Sequence, residues 1–326
     1  MIIKANKLKI PLIIHVGYPK TATTLIQEAL KLAHGSEINY LNEFLIKELY
    51  AVAHFSKIEF DKSKELYLHE FKSRIREDLV NIISYESLTP TIKSLNNDSL
   101  PSITGIVSRL HYLFSDFDVS IVIGVRNQQE LIYSTIVQAY SQNLFKSTKS
   151  NEAILEKILG SPSLSKLFNA KELLNEYGRR FSSLKIFYYE DLKLGEITIE
   201  EILSRYFAVT KTVLKSSLSY NRREESEVGY KSRDISLGQV IARLKGRLRH
   251  LPAFYKLLSK VKIFNNLIDL LKGVTLAKGV DVPFFSVEQN KSILDFYSNS
   301  NTDLFELEKP KGSLADFYIS ERSDSL

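Results

Sequence analysis

Cysteine is absent from the 326-residue chain, which excludes a disulfide framework, a thiolate zinc site, an iron–sulfur cluster and a cysteine nucleophile. Long apolar runs are lacking too, since no segment approaches the ~18–20 consecutive apolar residues of a membrane span. The first apolar run, Ile10 to Val16, contains Pro11 and leads straight into Gly17-Tyr18-Pro19-Lys20. No small residues suited to leader cleavage follow it, so the N-terminus reads as mature structure and the chain as soluble and cytoplasmic. The six histidines include no i, i+4 pair and no H-x-E ligand pattern, and no metal site is expected. Internal repeats and Gly/Ser-rich linkers are also missing. With 44% apolar and 25% charged residues, the composition is that of an ordinary globular protein. It rules out collagen-like, low-complexity and wholly disordered chains.

Four short apolar, β-rich runs are present: Ile10–Val16, Leu79–Tyr85, Val119–Val125 and Leu184–Tyr189. Segments of helical period separate them. Continuous apolar runs read as strands buried on both faces, which is the signature of a parallel sheet. Their alternation with helices predicts an α/β fold with a central parallel sheet flanked by helices, over a single domain spanning 1–326. In such sheets ligands bind beyond the carboxyl ends of the strands. Residues 91–104, rich in Ser, Thr, Asn and Pro, read as a surface loop, and Ser320–Leu326 as a frayed tail.

Charge is unevenly spread. The whole chain carries +6, but Ser236–Lys278 holds nine basic residues against the single acid Asp269. That segment alone is +8 and the remainder −2. Leu237, Ile241, Leu244, Leu248 and Leu251 recur at helical spacing, and Pro252 separates or kinks two helices. Residues 236–278 therefore read as a basic amphipathic helical hairpin. It either packs on the sheet with a solvated basic face, or meets an anionic membrane or an acidic polymer.

The most informative stretch is Gly17-Tyr18-Pro19-Lys20-Thr21-Ala22-Thr23-Thr24, between the first strand and a helix whose apolar face is Leu25, Ile26, Ala29, Leu30 and Ala33. Free N–H groups and the dipole at a helix start favour an anion. Lys20 adds a mobile cation, and Thr21, Thr23 and Thr24 add hydroxyls without negative charge. The loop suits a phosphate or a sulfate. It is not the G-x-x-x-x-G-K-[ST] loop of nucleotide triphosphatases, because only Gly17 is present and Lys20 precedes the threonines. A second piece, Arg126-Asn127-Gln128-Gln129-Glu130-Leu131-Ile132-Tyr133-Ser134, follows the third strand. Arg126 stands at the strand end, and Ser134 lies about two helical turns on. A guanidinium binds phosphate bidentately and a serine hydroxyl can complete the cradle. Two anion sites on one sheet edge call for a ligand with two separated phosphate-type groups.

These two pieces resemble the sulfotransferase family that uses 3′-phosphoadenylyl sulfate (PAPS), most closely its bacterial members acting on carbohydrates. Tyr18 to Thr24, with Pro19, Lys20, Thr21, Ala22 and Thr23 between, is similar to that family's 5′-phosphosulfate loop. Arg126 to Ser134 is similar to its 3′-phosphate segment, R-N-P-x-x-R-x-x-S. Phe187-Tyr188-Tyr189-Glu190-Asp191-Leu192 and the helix near Phe296–Leu304, with Asn301, are further echoes. Three departures stand out. Ala22 replaces a frequent glycine, Gln128 the usual proline, and Leu131 the usual second arginine, whose charge a residue such as Arg222 or Arg223 would have to supply.

The resemblance implies a P-loop-like sulfotransferase fold and in-line sulfuryl transfer from PAPS to a hydroxyl of a saccharide or glycan, with PAP as product and no metal. Lys20 is then the principal catalytic cation, while Arg126 and Ser134 select the 3′-phosphate. Glu86, in Ile83-Ser84-Tyr85-Glu86-Ser87-Leu88 beyond the second strand, is the candidate general base. His15, inside the first strand, reads as a satisfied core histidine, His54 as a residue that could line the acceptor cleft, and Glu190-Asp191 as a loop or cap. The charge of the hairpin allows for an anionic or lipid-linked acceptor and for peripheral contact with the inner membrane face. No nucleic-acid partner is expected, and the oligomeric state stays open. Two other classes also stay open: a P-loop small-molecule kinase using ATP and Mg²⁺, and a non-enzymatic membrane- or polyanion-binding protein.

Overall fold

The computed structural model describes residues 9–18, 20–42, 44–89, 102–141, 150–210 and 281–305, and the backbone of the short strands within 225–277. Five strands form one parallel sheet: β1 (Pro11–Gly17), β2 (Ile38–Tyr40), β3 (Val80–Ser84), β4 (Asp118–Val125) and β5 (Ser183–Tyr188). The order across the sheet is β2-β3-β1-β4-β5. Four of the strands match the four apolar runs to within a residue at each end. β1, β3 and β4 are buried along nearly their whole length, as strands covered on both faces must be. The strand that sequence periodicity does not reveal is β2, only three residues long and paired in register with β3.

The helices around this sheet are α1 (Thr23–Ala33), α2 (Ile46–His54), α3 (Lys57–Arg74), α4 (Ile103–Phe114), α5 (Gln128–Ser141), α6 (Asn151–Gly160), α7 (Pro162–Ser165), α8 (Ala170–Gly178), α9 (Tyr189–Leu194) and α10 (Ile199–Phe207), with a last helix, α11 (Val287–Phe305). On α1, Ile26, Ala29, Leu30 and Ala33 are buried and Leu25 packs at the margin of the same core, following the spacing of the sequence. The 91–104 loop reading ends early, because Ser102 caps Gly105 and starts α4 at Ile103.

The chain divides into two compact units. The first takes residues 1–132, 155–221 and 286–326 and holds the parallel sheet. The second takes residues 133–154 and 222–285. Within the second lie a three-stranded antiparallel sheet of β6 (Glu225–Ser226), β7 (Gly229–Lys231) and β10 (Asp281–Pro283), and a pair of β8 (Ile235–Ser236) with β9 (Thr275–Ala277). Tyr133 on α5 donates to the Val282 carbonyl at 2.5 Å, and its ring meets Phe284 and Phe285. Asn151 donates to the Pro283 carbonyl at 2.7 Å. Apart from the backbone of Ser236 and Thr275–Ala277, the basic segment 236–278 lies outside the described residues. So do Arg222, Arg223, His250 and Ser320–Leu326. No helix among the described residues is long and apolar enough to cross a membrane.

Candidate anion-binding site

In the strand order, the chain leaves β1 toward β2 on one side of the sheet and leaves β4 toward β5 on the other. The β1 and β4 loops therefore part company at their shared edge, the place where open α/β sheets bind ligands. Both sequence motifs of the first unit start there.

The β1 loop is tight. A Cβ on Gly17 would stand 2.4 Å from Thr23 Oγ1, so the strand end must be glycine for the helix start to close on it. Thr21 Oγ1 donates to the Tyr18 carbonyl at 2.7 Å, and Thr89 Oγ1 donates to the Gly17 carbonyl at 3.1 Å. Lys20 and Ala22 both adopt left-handed backbone, with φ of 70° and 59°. This conformation costs a residue bearing a Cβ roughly 1–2 kcal/mol. It explains the glycine that related loops carry at the Ala22 position, and local strain of this kind gathers at ligand sites. Ala22 is the N-cap of α1, among the described residues no side chain caps it, and the first turn carries no acid. An uncapped, acid-free helix start favours an anion. The buried Tyr18 hydroxyl and Thr23 Oγ1 find no hydrogen-bond partner among the described residues. Lys20 is half-buried, Thr24 is exposed, and Pro19 lies outside the described residues.

Across the edge, Gly124 of β4 gives Phe187 its space, for an added Cβ would come within 2.6 Å of that ring and 3.0 Å of Thr21 Oγ1. Arg126 follows. Its Nη1 donates to the Lys20 carbonyl at 3.0 Å, so the guanidinium ties the two loops together. Its Nη2 donates to Glu130 Oε2 at 2.5 Å, and the plane lies 4.6 Å from the centre of the Tyr189 ring. Arg126 Nε is buried without a partner among the described residues. Glu130 Oε1 accepts from Lys193 on α9 at 2.6 Å. Burial pushes the Glu130 carboxyl up, but Arg126 and Lys193 outweigh it and hold the group below its ordinary range.

The turn between β4 and α5 is locked from beneath. Glu190 Oε1 accepts from both the backbone N–H and the Nδ2 of Asn127 at 3.0 Å, and Asn127 Oδ1 accepts from Glu130 N–H at 2.9 Å. Glu190 lies in the first turn of α9 rather than in a loop, and from there it braces the turn. Gln128 and Asn301 exchange two side-chain hydrogen bonds, at 2.8 and 3.0 Å. That pairing accounts for glutamine where related sequences carry proline. Ser134 is half-buried on α5 but belongs to the second unit.

Beyond β3, Glu86 opens a single 3₁₀ turn, Glu86–Leu88. It is solvent-accessible, yet desolvation raises its carboxyl above the usual value, while the Lys20 charge and the Thr23 hydroxyl pull it back down. Thr23 Oγ1 therefore faces Glu86 without meeting full hydrogen-bond geometry to it. Lys20 and Glu86, drawn from two loops, share one electrostatic neighbourhood.

His15 departs from the satisfied core histidine that the sequence implies. Nδ1 shares a 2.7 Å hydrogen bond with Ser84 Oγ, whereas Nε2 is buried and without a partner among the described residues. Desolvation lowers its pKa to about 3. His54 closes α2 with its ring 4.5 Å from Tyr50. Among the described residues no cluster of His, Asp or Glu has the makings of a metal site. The residues that sequence reasoning misses are Lys193 and the carboxylate of Glu130. The available signal is the neutral Leu131 where the segment's resemblance implies a second cation, which leaves that charge to come from elsewhere.

No protein-family profile matches the chain, and no curated protein matches it. Among solved structures, it is similar to a sulfotransferase from Alicyclobacillus acidocaldarius at 15% identity, covering 79% of this chain and 96% of that one, with a TM-score of 0.42. It is similar to a retinol dehydratase in complex with retinol and PAP at 14% identity, covering 91% and 83%, with a TM-score of 0.41. A protein described as a candidate kinase from Chloroflexus aurantiacus is 14% identical over 61% of this chain and 95% of that one, with a TM-score of 0.30. At such scores the geometry of the site, and not these likenesses, has to carry a functional reading.

Proposed function

We propose that the chain is a PAPS-dependent sulfotransferase acting on a hydroxyl of a saccharide or glycan. The observation that carries this reading is the bond from Arg126 Nη1 to the Lys20 carbonyl. It joins two anion-ready loops on one sheet edge, and both loops resemble donor-binding segments of that family. Across β3-β1-β4-β5 the segments that follow the strands contribute Glu86, Lys20, Arg126 and Lys193 in turn. One acidic group is thus followed by three cations. That order suits an acceptor hydroxyl over β3 and a donor with two separated anionic groups over β1, β4 and β5.

The strained loop offers the uncapped amides of the α1 start and Arg126 Nε, which has no partner among the described residues, as donors that phosphate oxygens would satisfy. In the transfer, a bond forms between the acceptor oxygen and sulfur as the bond from sulfur to the 5′-phosphate oxygen breaks. Lys20 and the amides of Thr21–Thr24 stabilise the charge that grows on the departing phosphate, and positioning supplies most of the remainder. Glu86 accepts the acceptor's proton. Arg126 holds the 3′-phosphate, which distinguishes this donor from ATP. The basic 236–278 segment favours an acidic glycan as acceptor.

Titration calorimetry with 3′,5′-ADP against ATP plus Mg²⁺ tests the donor, and transfer of radiolabelled sulfate from PAPS onto a panel of neutral and acidic glycans tests the acceptor. Tight binding of 3′,5′-ADP with weak binding of ATP is expected. The reverse would favour the kinase alternative and end this reading.

A further inference from the structure

The ion group at the β4 strand end contains a carboxylate in a place built for a different anion. Both oxygens of Glu130 are engaged, Oε2 by Arg126 at 2.5 Å and Oε1 by Lys193 at 2.6 Å. This is how one phosphate would bridge the same two cations. Lys193 is 63 residues from Glu130 in sequence and reaches it from the last turn of α9, the helix that follows the neighbouring strand β5. The Glu130 backbone is fixed by Asn127, which Glu190 holds in turn. The Glu130 side chain keeps 31% of its surface exposed, and Lys193 keeps 49%. The carboxylate can therefore swing toward solvent while the turn beneath it stays in place. Left where it stands, it would repel a phosphate brought to Arg126. With it gone and nothing in its place, two cations would face each other.

We propose that Glu130 is an internal surrogate anion, which holds Arg126 and Lys193 in position until the donor's 3′-phosphate displaces it. Lys193 is then the second cation of the phosphate seat, in the role for which the buried Leu131 has no charge. The inference rests on the donor reading above and adds to it a residue and an exchange. A dianionic phosphate replaces a monoanionic carboxylate between the same two cations, so the exchange runs toward bound donor and discriminates against nucleotides without that phosphate.

The test is calorimetric titration of the full chain with 3′,5′-ADP and with 5′-AMP, read as the ratio of their affinities. Lys193→Ala should lower the ratio by about tenfold, the scale of one charge-assisted contact, and Lys193→Arg should restore most of it. Glu130→Gln, which keeps the shape and removes the competing charge, should raise the ratio several-fold. A ratio that falls in Glu130→Gln would make Glu130 a strut for Arg126 and overturn the proposal. So would a ratio unmoved in Lys193→Ala, which decides alone should Glu130→Gln fail to fold, because Lys193 is half-exposed. Wild-type chain that binds no 3′,5′-ADP sinks the donor reading itself, whereas normal binding with a ratio unmoved in the lysine variant sinks only this proposal.

Discussion

His15 shows what one buried ring does to the pH response of the fold. It lies between Phe187 and Phe207 with centroid distances of 6.1 and 5.4 Å, and its only hydrogen bond among the described residues is the one to Ser84. Its folded pKa of about 3 lies below the ordinary 6.5. The sign follows from proton linkage. Between those values the unfolded chain binds a proton that the folded chain refuses, so stability is full above about 6.5 and falls as the pH drops toward about 3. The slope is about 1.4 kcal/mol per pH unit, which amounts to roughly 5 kcal/mol over the window. Denaturant titrations at pH 7, 5.5 and 4 should show a steeper loss for the wild-type chain than for His15→Gln, whose residue 15 does not titrate. Parallel curves would mean that the ring reaches water or a partner in the folded state.

At the scale of elements, the β1 loop reconciles two demands that pull against each other. The helix must start within six residues of the strand end, and its amides must stay uncapped, so the backbone turns left-handed twice, at Lys20 and Ala22. Glycine at position 22 would avoid most of the Cβ penalty but lose more entropy on folding, which leaves a net gain of about 0.5–1 kcal/mol. Ala22→Gly should therefore raise the melting temperature, while Ala22→Val should lower it. A lower melting temperature for the glycine variant would mean that the loop is not strained. Much of this element was readable beforehand. The strand and the helix face follow from local pattern, because strand burial and helical period are local properties, while the awkward alanine shows only against the family that the loop resembles. Lys193 was not readable, since its meaning depends on Glu130, one strand away in the sheet and far off in sequence. β2 was missed for a similar reason. Its three residues are too few to show a period, and pairing with β3 makes the strand. Gln128 looked like a defect in its motif until Asn301, on the last helix, supplied the matching amide.

At the scale of the whole sheet, the proposed transfer depends on the order in which the segments beyond the strands present their charges. Glu86 and Lys20 follow adjacent strands, β3 and β1, and the Lys20 charge acts on the Glu86 carboxyl. Desolvation raises the Glu86 carboxyl and Lys20 lowers it. The proposed mechanism needs the Glu86 carboxylate as base, so on that mechanism the rate should fall as the pH drops through its folded pKa. That acid limb should lie above an ordinary glutamate's value of 4.5. Glu86→Gln should abolish the limb and cost about 10²–10⁴ in kcat, the usual range for a positioned base. Lys20→Met should cost about 10²–10³ through the lost charge on the departing phosphate. It should also move the limb of the residual activity to higher pH, because the lysine that held the carboxyl down is gone. A limb that stays put in Lys20→Met, or survives in Glu86→Gln, would separate the two groups and leave proton removal to another residue on the edge. A joint shift would show that neighbouring strands of one parallel sheet set the base and the leaving-group cation against each other.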